Sequence, residues 1–415
     1  AFSAQDDQTW NWSGLPGYAS STFTVDGVLK PLPSHLYAAG GARPLSPAEL
    51  LLDEQVNRAP LALGPFRLVE WQAGQWITLE KNPAYYRAAE GLPYLDQILF
   101  RFVSDPNQLA AQLLSGECDL GTQDAAYDEA LPMFHSLAAE GLLALQTAPG
   151  LVFEHIDFNA QPLSTYRGFA GIARNETGTF VFDQPEVRQA VAHCLDRPAL
   201  LDQVARDAAV LWNTYLPPSH PLYAGDENLP VVAFDPLLGK ELLARHGWRD
   251  TDADGWLDKD GRRFSLVLSI RRSTLRDQIA PLIADQLQAH CGIEVQVQPY
   301  GAEFFDRGPA GVLFGRQYDL AEYAWRLTSL EPPCDLYRSS RIPLEGNWGD
   351  LNAAGLRDVA YDAACLQAVT ALDETTRQQS HLLAQQLYAE LLPSLPLFAR
   401  DRLLVYRPEV SGVIL

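Results

Sequence analysis

Residues 66–71 and 75–80 each alternate between apolar and polar positions, and Gln72-Ala73-Gly74 between them has turn character. This pattern predicts a β-hairpin, with residues 97–103 as a third strand. Asp105-Pro106 then opens a helix whose Leu109, Leu113 and Leu114 fall on one face, and Gly116 closes it. A shorter helix is predicted at 46–52, with Ser46 as N-cap and Pro47 at its first position. A second block starts near residue 150, with an alternating strand at 152–158. Residues 186–204 read as one helix carrying Val187, Ala190, Val191, Cys194 and Leu195 on a single stripe. Asp235-Pro236 caps a further helix that ends at His246-Gly247. Strands at 264–268 and 293–297 flank a helix at 275–290, a βαβ order that requires a parallel pair. A strand at 318–325, two helices at 359–372 and 375–391 and a strand at 402–406 complete a mixed α/β chain.

At 415 residues the chain has room for two or three domains, and 47% hydrophobic residues place it among ordinary globular sequences. Thirty-one Lys and Arg against 52 Asp and Glu leave a formal charge of −21, which argues against a nucleic-acid partner. No apolar run is long enough to span a bilayer, and Ala1-Phe2-Ser3-Ala4-Gln5-Asp6 lacks the pattern of a signal peptide. The five cysteines form no CxxC pair, so a structural zinc site is not expected.

Catalytic motifs are absent: no HExxH, GxSxG or GxGxxG occurs, and the eight histidines are scattered. Ser115-Gly116-Glu117-Cys118-Asp119 reads as a helix-end turn. His193 and Cys194 are adjacent on a helix and so do not face each other. The richest local signal is Asp250-Thr251-Asp252-Ala253-Asp254-Gly255-Trp256-Leu257-Asp258. Asp250, Asp252, Asp254 and Asp258, with the Trp256 carbonyl, occupy the ligand positions of a calcium loop, and Gly255 its sharp turn. Position 12 is Gly261 where a bidentate Glu belongs. A structural calcium site and a solvated Asp/Gly turn both remain open readings.

Taken in order, several segments resemble family 5 extracellular solute-binding proteins, the oligopeptide, dipeptide and nickel receptors of ABC importers. These are Leu63-Gly64-Pro65-Phe66-Arg67-Leu68-Val69-Glu70-Trp71, Leu79-Glu80-Lys81-Asn82-Pro83-Ala84-Tyr85-Tyr86, and Leu114-Ser115-Gly116-Glu117-Cys118-Asp119. Pro185-Glu186-Val187-Arg188-Gln189-Ala190-Val191 with Asp196-Arg197, Gly247-Trp248, Asp319-Leu320 through Trp325, and Tyr361-Asp362 continue the register. The resemblance implies a periplasmic-binding-protein-like two-lobe fold of type II. Residues 1–150, joined by 400–415, would form what is present of lobe I, and 151–399 an inserted lobe II. Compared with the family, the segment before Gly64 is short and lacks a small domain, so the chain reads as a fragment without its leader or lipid anchor.

The implied function is an extracytoplasmic, monomeric receptor, not an enzyme. It would capture a peptide or other small organic solute between two lobes and deliver it to an ABC permease, with no cofactor. In the peptide receptors an acidic residue three positions after the Trp of the 318–325 strand holds the peptide's amino terminus. Thr328 stands there, and a neutral hydroxyl holds an ammonium poorly, so weak affinity for plain dipeptides is expected. Glu331-Pro332 does match the family's acidic-Pro step. Trp325, Thr328, Tyr337, Trp348 and Asn352 are the candidate ligand-lining residues. The alternatives are a hydrolase of unfamiliar type, which would turn its ligand over, and a purely structural module, which would lack an aromatic-lined cleft. The oxidising compartment implied by the family permits disulfides. Cys334 and Cys365, 31 positions apart around a Pro/Gly/Asn-rich segment, are the expected pair. Cys118, Cys194 and Cys291 are expected to be free thiols.

Overall fold

A computed structural model describes residues 2–4, 10–12, 38–39, 43–61, 63–122, 130–168, 180–204, 209–327 and 331–414. The chain divides into two compact units, one of Leu29–Gln146 with Leu403–Leu415 and the other of Thr147–Arg402 with Ala1–Val28.

In the first unit, α1 (Pro47–Leu52) starts with a capping box in which Ser46 and Glu49 satisfy each other's backbone amides. Asp53 ends it and caps α2 (Glu54–Arg58). The predicted hairpin is β1 (Phe66–Gln72) and β2 (Trp76–Lys81), and β3 (Gln97–Arg101) adds to it antiparallel. Helix α3 (Pro106–Ser115) is capped by Asp105 and stopped by Gly116, whose φ of 76° suits only a residue without a Cβ. Leu109 and Leu113 are buried on it, whereas Leu114 is 48% exposed, because one extra residue rotates it off the core stripe. Phe134 of α4 (Leu131–Ala139), Leu143, Leu403 and Val405 complete that core, and β4 (Leu120–Thr122) pairs with residues 404–406.

The second unit is built on a mixed sheet. Its strands are β5 (Ala144–Phe158), β6 (Ala209–Leu211), β7 (Ser265–Arg271), β8 (Glu294–Tyr300), β9 (Leu320–Arg326) and β10 (Ser394–Tyr406), in the order β6-β10-β5-β9-β7-β8. The parallel βαβ pair expected from the sequence is present, β7 and β8 joined by a helix at Thr274–Cys291, and β9 lies parallel to β7 on its other side. Strand β5 runs antiparallel to β9. One face packs Ile156, Phe158, Leu266, Leu268, Ile270 and Leu320 against α5 (Pro185–His193), α6 (Arg197–Val204), α7 (Pro236–Arg245) and α8 (Thr274–Cys291). The other packs Phe153, Trp212 and Tyr337 against α9 (Val359–Thr370) and α10 (Glu374–Leu391). Fully burying each such large apolar side chain is worth roughly 1.5–3 kcal/mol.

Two sequence expectations fail here. Residues 186–204 form two helices, not one. Cys194 ends α5, and Pro198 starts α6, where its missing N–H costs nothing. Cys194 and Cys291, expected as free thiols, are bonded to each other with Cα atoms 5.9 Å apart. The ends of α5 and α8 meet beside Gly239 of α7, where even a Cβ would come within 2.8 Å of the Cys194 sulfur. Cys334 and Cys365 are bonded, with Cα atoms 5.7 Å apart, and Cys118 is free and half-buried.

Candidate functional site

In open α/β sheets, ligands bind beyond the carboxyl ends of the strands, where loops diverge and helix N-termini converge. In the second unit that edge carries Arg271 of β7, Tyr300 of β8 and Trp325-Arg326 of β9. Helix α8 starts there, its first turn capped by the Ser273 hydroxyl, which accepts from the Arg276 amide at 3.2 Å. Trp325 is half-buried and sits edge-on to Tyr323 with ring centres 5.4 Å apart. Phe305, 37% exposed, is also edge-on to Tyr323, with ring centres 6.1 Å apart. A partly exposed aromatic row at this edge offers flat apolar contact to a solute. Phe305 and Tyr300 were not singled out from the sequence, since only the parallel order of the strands places them beside Trp325.

The remaining candidates separate. Trp348 is half-buried. Tyr337 is buried against Tyr388, with ring centres 5.0 Å apart. Asn352 is buried; its amide donates to the Arg338 and Leu356 carbonyls at 2.9 and 3.0 Å, and its oxygen accepts from the Gly355 and Leu356 amides. Both donors and both lone pairs are therefore used to shape the 338–356 loop. Thr328 lies outside the described residues. Glu331, the acidic residue of the acidic-Pro step, accepts from His381 at 3.0 Å and pairs with Arg377 at 3.3 Å, tying the segment after β9 to α10.

Strand β5 is central, so both of its faces are buried, and it carries charge on each. Glu154 is fully buried and takes Arg276 as a bidentate partner at 2.9 and 3.1 Å, and Arg400 of β10 through its Nε at 2.8 Å. Burial opposes its charge, but the two guanidinium groups outweigh that and lower its pKa to about 2. Glu322 of β9 lies on the same face, 3.6 Å from Arg276; burial, with the neighbouring Glu154 charge, raises its pKa well above the usual range. On the opposite face the Tyr323 hydroxyl donates to Asp157 at 2.7 Å, and His155 lies 3.5 Å from the same carboxylate. Burial raises Asp157 to about 7 and lowers His155 to about 4, so His155 is neutral near pH 7. All five side chains, Glu154, His155, Asp157, Glu322 and Tyr323, are buried in the sheet.

The Asp250, Asp252 and Asp254 carboxylates are exposed and lie within 4.8 Å of one another. Each also accepts a loop amide: Gly255, Asp254 and Trp256 donate to Asp250, Asp252 and Asp254 respectively. Asp254 is further paired with Arg263, which stacks over Trp256 at 5.0 Å. Asp258 is held above the ordinary carboxylate range by desolvation and by the Asp252 and Asp254 charges. Three oxygen donors thus fit a cation, while Arg263 already answers one of them.

The arginines of the Pro185–Val191 and Asp196-Arg197 segments are structural. Arg188 donates to the carbonyls of Phe182, Leu391 and Leu392, closing the C-terminus of α10. Arg197 donates to the carbonyls of Trp212, Pro396 and Val232. Burial lowers Arg188 to about 10.

A mixed sheet of this order, with a parallel βαβ edge and two long strands whose ends belong to the first unit, has the fold of the periplasmic-binding-protein class. The profile described as "Bacterial extracellular solute-binding proteins, family 5 Middle" matches residues 23–341. The chain belongs to that family. It is 31% identical over 317 residues to the oligopeptide-binding protein AppA of Bacillus subtilis (strain 168), covering 75% of this chain and 51% of that one. The probable ABC transporter periplasmic-binding protein SapA of Escherichia coli (strain K12) is 24% identical over 362 residues, covering 87% and 58%. The chain therefore spans about half to three-fifths of these curated relatives. Among solved structures, AppA from Bacillus subtilis in complex with a nonapeptide superposes with a TM-score of 0.67 at 26% identity, over 92% of this chain and 69% of that one. Lactococcal OppA, complexed with an endogenous peptide in its closed conformation, reaches 0.74 at 17% identity, over 100% and 74%, a likeness of fold.

Proposed function

We propose that the protein is an extracytoplasmic receptor that takes a peptide or other small organic solute at the carboxyl edge of the β7–β9 sheet and hands it unchanged to an ABC permease. The half-buried Trp325, standing with Phe305 at the mouth of an otherwise closed aromatic cluster, carries this reading. Trp325, Thr328 and Trp348 line the solute, while Tyr337 and Asn352 hold the shape of the wall behind it. Residues 1–150 with 400–415 are assigned to one lobe and 151–399 to the other, and the receptor works as a monomer. A lipid anchor holds the receptor at the membrane. The membership of the family and the peptide complex of AppA support this reading. No catalytic step is assigned: the buried carboxylates and histidine next to the edge are closed off from any substrate. The Asp250–Asp258 loop serves as a local calcium staple for the turn before β7.

Mass spectrometry of solutes that co-purify with the protein tests the reading. An intact peptide or organic solute, lost in a Trp325→Ala variant that keeps its melting temperature, is expected. Only cleavage products, in amounts growing with time, would favour a hydrolase.

A further inference from the structure

Among the described residues, Tyr323 is the ring against which Trp325 rests, with centres 5.4 Å apart and planes at 76°. Phe305 meets the same ring at 6.1 Å and 78°. The two partly exposed aromatics of the edge therefore share one buried support. Phe153 of β5 stands in register with Trp325, but its ring stacks on Trp212 at 5.0 Å. Tyr323 itself is fully buried. His155, its cross-strand partner, is edge-on to it at 4.3 Å, and Phe304 contacts it at 5.8 Å.

Neighbouring rings restrain the plane of an aromatic side chain. The direction of a tyrosine's long axis is set by whatever holds its hydroxyl, because the oxygen lies on that axis. Here the hydroxyl donates to Asp157 at 2.7 Å. Asp157 lies two residues beyond His155 on β5 and so on the same face, and the bond ties β9 to β5 on the diagonal. Burial cuts the hydroxyl off from water, so an orientation that lost this acceptor would leave a donor unanswered. Asp157 is 1% exposed and acts on the edge through Tyr323.

We propose that Tyr323 is the positioning residue of the aromatic edge: Asp157 fixes its hydroxyl, the fixed ring fixes Trp325 and Phe305, and solute affinity falls when that hydrogen bond is removed. The proposal rests on the receptor reading and adds to it a buried pair that sets the recognition surface from behind.

For the test the whole chain is labelled with 5-fluorotryptophan, and the Trp325 fluorine resonance is identified among the nine tryptophans by its loss in Trp325→Phe. Tyr323→Phe and Asp157→Ala are each expected to shift or broaden that resonance, and the double variant to do no more than either alone. Asp157→Asn keeps an acceptor and is expected to leave it in place. Tyr318→Phe removes an equally buried hydroxyl, one that donates to the Ala353 carbonyl at 2.9 Å, and should not move it. If circular dichroism shows Tyr323→Phe unfolded, the contrast between Asp157→Ala and Asp157→Asn carries the test. Retention of an equimolar library of unmodified tripeptides, read by mass spectrometry, should fall about tenfold in Tyr323→Phe and Asp157→Ala and hold in Asp157→Asn and Tyr318→Phe. A Trp325 resonance unmoved by Tyr323→Phe and Asp157→Ala, or moved as far by Tyr318→Phe, would overturn the positioning role and leave the receptor reading standing. A moved resonance with undiminished retention would overturn it as well. A resonance that moves as stated while the wild type retains no tripeptide supports the positioning role and overturns the peptide reading.

Discussion

Replacing Asp157 by Asn should make the protein more stable at neutral and alkaline pH, and the structure sets the size of the gain. Asp157 is fully buried, with the Tyr323 hydroxyl donating to it at 2.7 Å and, among the described residues, no lysine or arginine paired with it. Burial raises its pKa from 3.8 to about 7. A carboxyl group whose pKa is higher in the folded chain gives up its proton first in the unfolded one. The folded state then holds the extra proton, so stability falls as pH rises from about 4 through 7. A shift of about three units corresponds to about 4 kcal/mol lost across that window. Asn keeps an acceptor for Tyr323 and cannot ionise. His155 acts in the opposite sense: its pKa is lowered to about 4, so it contributes stability that is present above its unfolded value and lost as pH falls through 4. It does so equally in both proteins. Urea unfolding of wild type and Asp157→Asn between pH 4 and 8.5 isolates the difference, which should be small at pH 4 and grow to about 4 kcal/mol by pH 8. Two parallel profiles, separated by less than about 1 kcal/mol throughout, would refute the reasoning.

The two glutamates of the charged network should respond in opposite ways. Glu154→Gln strands Arg276 and Arg400 and should cost about 3–5 kcal/mol in thermal or urea unfolding at pH 7. Glu322→Gln removes a carboxyl group whose charged form burial and the Glu154 charge already disfavour, and should leave stability at pH 7 unchanged or higher; a loss as large as that of Glu154→Gln would contradict the assignment. Thiol titration in denaturant should find one free thiol without reductant, Cys118, and five with it. Three free thiols without reductant would restore Cys194 and Cys291 to the reduced form. If the Asp250–Asp258 loop holds calcium, adding a chelator should lower the melting temperature and calcium should restore it, by mass action on the folded loop; identical curves leave a plain turn.

How much of this was legible in the sequence depended on range. The hairpin of β1 and β2 was readable because alternation and a Gly turn act over a few residues, and the βαβ of β7, α8 and β8 because a strand-length switch from period two to period 3.6 is local. The break between α5 and α6 was missed because the apolar stripe from Val187 to Leu195 masks the start signal at Pro198. The charge network was not readable at all. Glu154 meets Arg276 and Arg400 across 122 and 246 positions, and nothing near any of the three announces the others. The Cys194–Cys291 bond, 97 positions apart, was misread for a similar reason. Burial of Cys194 on an apolar stripe was correctly inferred, but that the end of α8 packs against the same stripe is a tertiary fact. For the candidate site, Trp325 was visible as the end of a strand, whereas the full use of Asn352 by the backbone depends on a loop that sequence patterns do not fold.

Arg188 and Arg197 sit in the most recognisable segments of the chain, yet what they hold is mainly main-chain oxygen: three carbonyls each, with the Asn213 side-chain oxygen added for Arg197. An arginine spread over three carbonyls acts as a brace for the scaffold, and lysine, with one nitrogen on a flexible stem, could not span the same points. Such positions identify the frame and are indifferent to the cargo. In the receptor proposed above, substitutions at the strand-edge residues would therefore change the solute while the braces keep the sheet and helices in place, so that a scaffold of common descent can carry binding preferences that its most visible motifs do not disclose.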